Sequence, residues 1–271
     1  MQLQPVARRS VSDAVFDQLQ AQIVGGGLAA GEALPAERSL TEALGVNRQA
    51  VREALKRLHQ AGLVEISHGG ATRVRDWRTA AGLDLLPALL TTADGDVDPA
   101  VARSIMEMRA CIGPDAARLC ALRGVTPLGL DLAALVDEMQ EVLPVAASTR
   151  RGAPTATHEQ LAALADLDWR FWELVIEGAD NVAYRLAFNS LRAGSEPLGE
   201  LLPLALADEL RDVPAHRTIA DAVSEGDAAA AEAAARGLLA KGSAAIVALL
   251  AGVDPKAPPF PPVRARRKDL R

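Results

Sequence analysis

Basic and amide side chains recur along one face of a predicted helix that starts after Asn47. They are Arg48, Gln49, Arg52, Lys56 and Arg57. An arginine near the start of such a helix can donate two parallel hydrogen bonds to O6 and N7 of guanine. The helix N-terminus and neighbouring side chains can hold phosphate groups. The pattern therefore predicts a helix that contacts base edges of DNA, with Lys56 and Arg57 left open between base contact and a solvated face.

Two short helices must position these side chains. The first is predicted to begin at Pro35 and to end at Gly45, a residue that can adopt the left-handed conformation of a tight turn. The second is capped by Asn47. Its apolar positions follow the i, i+4, i+7 spacing of a helix and are Val51, Leu55 and Leu58. Two such helices joined by a glycine-containing turn predict a helix-turn-helix.

A β-hairpin is predicted directly after this pair. Val64 and Ile66 alternate with polar residues, glycines follow, and residues 72–74 return. A hairpin in this position corresponds to the wing of a winged helix-turn-helix. Beyond Trp77 the apolar period is helical, and the predicted helices are 79–92, 100–123, 128–147, 158–178, 180–195, 198–210, 213–225 and 227–250.

The predicted fold is therefore mainly α: a winged helix-turn-helix with a small β-hairpin wing, followed by an all-α helical-bundle effector domain. The boundaries expected from the pattern are a DNA-binding domain at 1–78, a linker at 79–99, an effector-binding and dimerisation domain at 100–252, and a disordered basic tail at 253–271.

Charge is distributed unevenly along the chain. The net charge is −6, which by itself argues against binding nucleic acid. Residues 1–78, however, carry ten Lys/Arg against eight Asp/Glu, whereas residues 79–253 carry 13 against 25 and residues 254–271 carry six against two. Phosphate contact needs only a basic face, so the acidic balance of the middle domain does not exclude DNA.

No targeting or membrane segment is expected. The sequence has no run of about 18 apolar residues, and no apolar stretch follows Arg8 and Arg9 as in a signal peptide. Cys111 and Cys120 lie nine positions apart without a CxxC or zinc spacing. We expect them to be reduced core residues of a cytoplasmic protein.

Residues 34–70, LPAERSLTEALGVNRQAVREALKRLHQAGLVEISHGG, resemble the GntR family within its FadR-like branch. The resemblance rests on the ordered motifs LPAER, GVNRQAVREAL, GL and a glycine-rich wing. It implies operator contacts from the second helix, the recognition helix and the wing tip: Arg38, Asn47, Arg48, Gln49, Arg52, His68 and Gly69. A salt bridge from Arg52 to Glu53 and an idle loop position for His68 are the alternatives.

The helical domain resembles the effector domain of the same branch, in segments 107–121, 167–181 and 216–231. Many of its members bind a divalent metal through one Asp and three His. Here Asp168 and His216 match two of these positions, whereas Trp172 and Leu238 replace the other two. One carboxylate and one imidazole cannot close a coordination shell around zinc, so we expect no metal and no cofactor. Asp168 and His216 either line a metal-free cavity or are ordinary capping and polar residues.

Residues 68–86 resemble the corresponding segment of the fatty-acid regulators of this branch, and the two missing metal ligands point to the same regulators. The resemblance implies a long-chain fatty acyl-CoA or fatty acid that releases the operator. Arg109 matches an arginine of the helix that lines the acyl-CoA cavity, and the expected effector-binding residues are Arg109, Asp168, Trp172 and His216. Leu239 replaces a glycine near the CoA group and favours a free fatty acid. We expect a homodimer that binds a palindromic double-stranded DNA operator. We expect no membrane partner.

Other classes of function remain as alternatives. An enzyme is not expected, because the sequence lacks GxSxG, Walker and Rossmann signatures. A DNA-architectural protein without a ligand is the second alternative, against which the size of the helical domain argues. A regulator that responds to a small carboxylate metabolite of carbon catabolism is the third. A shift in operator affinity on adding a metabolite separates a ligand-responsive regulator from an architectural protein.

Overall fold

The computed structural model describes residues 10–67, 70–92, 96–124, 126–143, 156–195, 198–199 and 201–249. The chain divides into two compact units between Val97 and Asp98. The wing-tip residues His68 and Gly69 and the tail at 253–271 lie outside the described residues.

The first unit begins with three helices: α1 (Val11–Val24), α2 (Glu37–Leu44) and α3 (Arg48–Gln60). A reciprocal capping box starts α1, in which the Ser10 hydroxyl accepts from the Asp13 amide and the Asp13 carboxylate accepts from the Ser10 amide. Gly45 ends α2 with φ of 64°, as the turn requires. Helix α1 packs against α3, and the buried side chains on the two helices are Val15, Leu19, Ile23, Val51, Leu55 and Leu58.

The wing follows α3 as an antiparallel pair, β1 (Val64–Glu65) and β2 (Arg73–Val74). Its register pairs Val64 with Val74 and Glu65 with Arg73. Val64 and Val74 are buried, whereas the neighbouring pair of Glu65 and Arg73 is exposed, which matches the alternation expected of a half-buried hairpin. The described residues thus form the winged helix-turn-helix that the sequence predicts.

Three short elements complete the first unit: α4 (Trp77–Ala80), a 3₁₀ turn (Leu83–Leu85) and α5 (Leu86–Leu90). The sequence predicts one continuous helix over residues 79–92, and this prediction is wrong. The Ala81 backbone is extended after α4, and Pro87 begins a new helix in α5. Proline is favoured at a first helical turn because it lacks the amide hydrogen that would go unpaired there.

The second unit is helical wherever the structure describes it. Its elements are α6 (Pro99–Arg123), α7 (Thr126–Val142), α8 (His158–Gly178), α9 (Val182–Ser195), α10 (Leu201–Ala205), α11 (Ala207–Leu210), α12 (Val213–Glu225) and α13 (Ala228–Leu249). Helix α6 packs along α13, and α12 packs against both α7 and α13. The fold is therefore a helical bundle, but the single predicted helix over 198–210 is two short helices that meet at Leu206.

Helices α6 and α13 approach closely at Gly113. A Cβ atom at this position would overlap Cδ1 of Leu239, a buried residue of α13. The absence of a side chain at Gly113 therefore lets the two longest helices of the bundle pack together.

The two cysteines of α6 have different environments. Cys120 is buried, and burial raises the pKa of its thiol to about 11. Cys111 is exposed, so the prediction that both cysteines are core residues is wrong for Cys111. None of the described helices is both long enough and apolar enough to cross a bilayer.

Candidate functional site

Helix α3 presents the predicted DNA-contacting side chains at its N-terminal end. The Asn47 side chain accepts a hydrogen bond from the Ala50 amide at 2.8 Å, so its oxygen is used as the helix cap. Arg48 and Arg52 keep 66% and 60% of their side-chain surface exposed. The cap leaves the first turn well ordered, and both guanidinium groups remain accessible to a partner.

Glu37, at the start of α2, holds both of these arginines. Its Oε2 atom accepts from Nε of Arg52 at 2.8 Å and from Nε of Arg48 at 3.2 Å. The hydrogen bond from Arg52, together with that from Arg48 and the charges of both, lowers the pKa of the Glu37 carboxyl despite its partial burial. The carboxylate thus orients both arginines through Nε and leaves their terminal Nη atoms as donors.

Sequence reasoning missed Glu37. The alternative that paired Arg52 with Glu53 is wrong, because Glu53 instead accepts from Nε2 of Gln49 at 3.2 Å. Glu37 lies 15 positions before Arg52, outside the one-turn spacings that sequence inspection can test. Its place within the LPAER motif was the available signal.

The remaining basic residues differ in their partners. Arg38 is 88% exposed and pairs with Glu42 one turn later at 2.9 Å. Arg57 pairs with Asp13 of α1, and its guanidinium lies 4.2 Å from the centre of the Phe16 ring. Arg57 therefore fastens α3 to α1, which is a third role beyond the base contact and the solvated face considered from the sequence. Lys56 is exposed.

In the second unit, four charged side chains from four helices form a buried polar cluster: Arg109 of α6, Asp168 of α8, Glu209 of α11 and His216 of α12. Glu209 and His216 have no exposed surface, and Asp168 is also buried. Charges in such a position must be paired, because burial of a single charge carries a large desolvation cost. Three members were expected from the sequence as effector-binding residues, and Glu209 was not.

His216 and Asp168 form one pair of this cluster. Nε2 of His216 lies 2.9 Å from Oδ1 of Asp168, and Nδ1 lies 3.0 Å from the backbone oxygen of Asp212. Burial lowers the pKa of His216, but the hydrogen bond and charge of Asp168, with the Asp212 carbonyl and Glu209, raise it overall. Both neighbours of the ring are acceptors, so the arrangement favours the imidazolium with both nitrogens donating.

Arg109 and Glu209 form the other pair. Nη1 of Arg109 donates to Oε2 of Glu209 at 2.9 Å, and Nη2 donates to Oε1, so the contact is bidentate. Burial lowers the pKa of Arg109, but the charge and hydrogen bonds of Glu209, with the charge of Asp168, raise it overall. The sequence offered no signal for Glu209, which lies 100 positions from Arg109 in an ordinary acidic helix segment.

Trp172 and Leu238, which the resemblance aligns with two metal-ligand positions, are both buried. Leu238 belongs to the core of the bundle, and Trp172 lies one turn after Asp168 on α8 with 6% of its surface exposed. The indole Nε1 atom of Trp172 has no hydrogen-bond partner among the described residues. Among the residues that the structure describes, no group of three or more His, Cys, Asp or Glu side chains could hold a metal ion.

Family models cover most of the chain. Residues 11–74 match the bacterial regulatory proteins of the gntR family, and residues 104–241 match the FCD domain. The solved structure of Lar, described as controlling expression of the Listeria monocytogenes agr system, has a TM-score of 0.55 at 18% identity. It covers 90% of this chain and 100% of that one and supports the fold alone.

Two curated relatives extend this comparison. The HTH-type transcriptional regulator Mce2R of Mycobacterium tuberculosis is 40% identical over 250 residues, which is 92% of this chain and 97% of the relative. The fatty acid metabolism regulator protein of Edwardsiella ictaluri is 31% identical over 196 residues, covering 69% and 74% of the two chains. The winged helix-turn-helix and the helical bundle therefore belong to a transcriptional regulator of the GntR family with an FCD domain.

Proposed function

We propose that this regulator binds a palindromic operator as a homodimer and releases it when a long-chain fatty acyl-CoA or a fatty acid binds the FCD domain. Its target genes would serve lipid or fatty-acid metabolism. The observation that carries the ligand half of this proposal is the buried polar cluster, together with the apolar residues Trp172 and Leu238 at two positions where the resemblance places metal ligands. The names of the fatty acid metabolism regulators among its relatives support the ligand class.

For operator recognition, the support lies in the geometry at the start of α3. Glu37 binds Nε of Arg48 and Arg52, so the paired Nη donors stay available for O6 and N7 of guanine. Arginines that are already oriented lose less side-chain entropy on binding. In this proposal Gln49 also faces the bases, Arg38 and the capped Asn47 contact the backbone, and the wing tip at His68 and Gly69 enters the minor groove.

Because one recognition helix and one wing contact a single half-site, a dimer is needed for a palindrome. Effector binding would change operator affinity through a coupling free energy of about 1–3 kcal/mol. Each buried methylene of an acyl chain contributes about 0.8 kcal/mol, so affinity should rise with chain length until the cavity is filled.

One observation favours a second candidate, a regulator that responds to a small carboxylate metabolite. Arg109 already binds a carboxylate in the bidentate geometry that a carboxylate ligand would use. In the family such ligands are held through a metal, and two of the four ligand positions here are apolar. We therefore expect metal analysis of the purified protein to find no stoichiometric zinc or nickel, and one bound ion per chain would contradict this.

The test begins with an operator selected from genomic fragments by the full-length protein. A labelled operator complex is then titrated with fatty acids and acyl-CoAs of 8 to 16 carbons and with short dicarboxylic and hydroxy acids, using scrambled DNA as a control. Release that strengthens with chain length supports the fatty-acid class. Release by the short acids alone would favour the second candidate and contradict the first.

A further inference from the structure

We infer that Glu209 occupies the carboxylate-binding position of the effector site in the ligand-free protein. The effector is then a monocarboxylate with an apolar chain, a free fatty acid rather than its CoA thioester, which displaces Glu209 and pairs with Arg109. This inference rests on the proposed function, because it assumes that the FCD domain binds an acyl effector.

The first support is the contact itself. Arg109 binds both oxygens of Glu209 in a position that has no exposed carboxylate surface. This is the geometry in which a guanidinium recognises the carboxylate of a ligand. Glu209 is carried by α11, a helix of four residues between two chain turns at Leu206 and Arg211. A carboxylate on so short an element can leave without unwinding a long helix.

The second support is the space around the carboxylate. Gly242 of α13 faces Glu209, and a Cβ atom there would overlap Oε2 of Glu209 and would lie 2.8 Å from Cδ2 of Leu206. The absence of a side chain leaves a carboxylate-sized space against the α13 backbone, beside Arg109. The same space would receive the carboxylate of a ligand once Glu209 has left.

The third support is an apolar groove formed by α10, α11 and α13, which include the two helices that meet where Glu209 faces Gly242. It has a volume of about 380 Å³ and is lined by Leu204, Ala205, Ala207, Asp208, Ala245, Ala248 and Leu249. Ala245 follows Gly242 by three residues on α13, so the groove begins about one helical turn from the residue that faces Glu209.

The groove is apolar apart from Asp208, whose carboxylate accepts from Arg211. Leu204 and Leu249 keep half or more of their surface exposed. In this inference an alkyl chain in the groove covers these two leucines, and its carboxylate pairs with Arg109.

Arg109 explains why the ligand must be an anion at its head. When Glu209 leaves, the buried guanidinium needs another carboxylate, because an unpaired buried charge is strongly unfavourable. A thioester, an ester or an alcohol carries no charge at that atom and cannot replace Glu209. A site built for a polar group discriminates strongly against analogues that lack it.

Displacement of Glu209 would also affect the pair of Asp168 and His216, because α11 is hydrogen-bonded to the residue that binds the His216 ring. The Asp212 amide donates to the Glu209 carbonyl at 3.0 Å, and the Asp212 carbonyl accepts from His216. Asp212 also caps α12. A shift of α11 therefore moves the N-terminus of α12 and the acceptor of the His216 ring within the same unit.

The experiment measures binding of decanoate and decanol to the full-length protein by calorimetry. Wild type should bind decanoate and not decanol. Glu209→Gln should bind decanoate roughly tenfold tighter or more, because the competing internal carboxylate is gone and a larger fraction of the protein is competent to bind. Arg109→Gln should lose decanoate binding. Glu138→Gln, which removes an exposed ion pair with Arg170, is the matched control and should behave as wild type.

A second measurement uses wild type alone, in case Glu209→Gln does not fold. Decanoate, but not decanol, should increase hydrogen exchange of the backbone amides at 207–212. Decanoate that binds and releases the operator while Glu209→Gln and this exchange stay unchanged would overturn the inference and leave the proposed function standing. Succinate binding that tightens in Glu209→Gln, with no binding of decanoate, would support the displaced carboxylate and contradict the fatty-acid class. Binding of decanoyl-CoA but not of decanoate would overturn the inference and leave the proposed function standing, whereas failure of every carboxylate and acyl-CoA would overturn both.

Discussion

At the level of single residues, the two functional regions depend on carboxylates that orient arginines. Glu37 holds Arg48 and Arg52 on the proposed recognition helix, and Glu209 holds Arg109 in the helical bundle. The first carboxylate leaves its arginines well exposed to a partner, whereas the arginine held by the second keeps only 19% of its side-chain surface exposed. This difference in exposure agrees with the two proposals, in which DNA contacts exposed arginines and a ligand must first displace Glu209.

Arg48→Ala tests the role of the exposed arginine. We expect it to weaken specific operator binding by about 1–3 kcal/mol, because a bidentate contact to guanine is lost. Arg57→Ala is the control: it removes the contacts with Asp13 and Phe16, so it should lower the melting temperature and leave sequence discrimination intact. Equal discrimination between operator and scrambled DNA in Arg48→Ala would contradict the assignment, and fluorescence anisotropy measures it.

His216 makes stability depend on pH. Its pKa is raised in the folded protein above the ordinary value of 6.5, through Asp168, the Asp212 carbonyl and Glu209. The stabilisation is therefore fully present below that ordinary value and is lost as the pH rises through the folded pKa. We expect the free energy of unfolding of wild type to exceed that of His216→Gln most at pH 6, and the difference to shrink towards pH 9. A difference that grows with pH in urea titrations would contradict the protonated pair.

At the level of elements, local chemistry made several helix boundaries predictable. The ends of α2 and α12 at Gly45 and Gly226 follow from glycines that adopt positive φ. The break at Leu206 was missed because neither proline nor glycine occupies that position. The division of 79–92 was missed although Gly82 and Pro87 lie where the chain leaves one short element and begins the next. The partners Glu37 and Glu209 were missed for a related reason, since they pair with residues on other helices, far along the chain.

The packing of α6 against α13 gives a test with an internal control. Gly113→Ala should destabilise the protein by about 1–3 kcal/mol, the usual cost of overpacking, because its Cβ overlaps Cδ1 of Leu239. Gly237→Ala, also helical but with open space at its Cβ, should stabilise by about 0.5–1 kcal/mol. Chemical denaturation measures both. Equal effects of the two substitutions would show that the helices do not approach at Gly113.

The thiols report on the two faces of α6. In native protein at pH 8, Ellman's reagent should react rapidly with the exposed Cys111 and slowly with Cys120, whose pKa burial raises to about 11. Denatured protein should titrate two thiols at similar rates. Cys111→Ser should abolish the rapid phase, and a rapid phase that survives this substitution would place Cys120 at the surface.

For the whole molecule, the charge distribution agrees with the proposal that the first unit binds DNA and the second binds the effector. The −6 net charge conceals a slightly basic N-terminal part and a strongly acidic middle part. A basic local surface suffices for phosphate contact, and the acidic part disfavours nonspecific adhesion of the bundle to DNA. The sequence alone supports this division, because charge can be counted without knowing how the chain folds.

The central claim is that a carboxylate ligand bound at Arg109 controls the binding of DNA at α3. The most direct measurement titrates decanoate into labelled operator complexes of wild type and Arg109→Gln and follows anisotropy. We expect decanoate to release wild type and to leave Arg109→Gln bound at the same concentrations, with each release measured against the operator affinity of the same protein before ligand is added. Release of both proteins at the same decanoate concentration, or release of neither by any carboxylate, would contradict the claim.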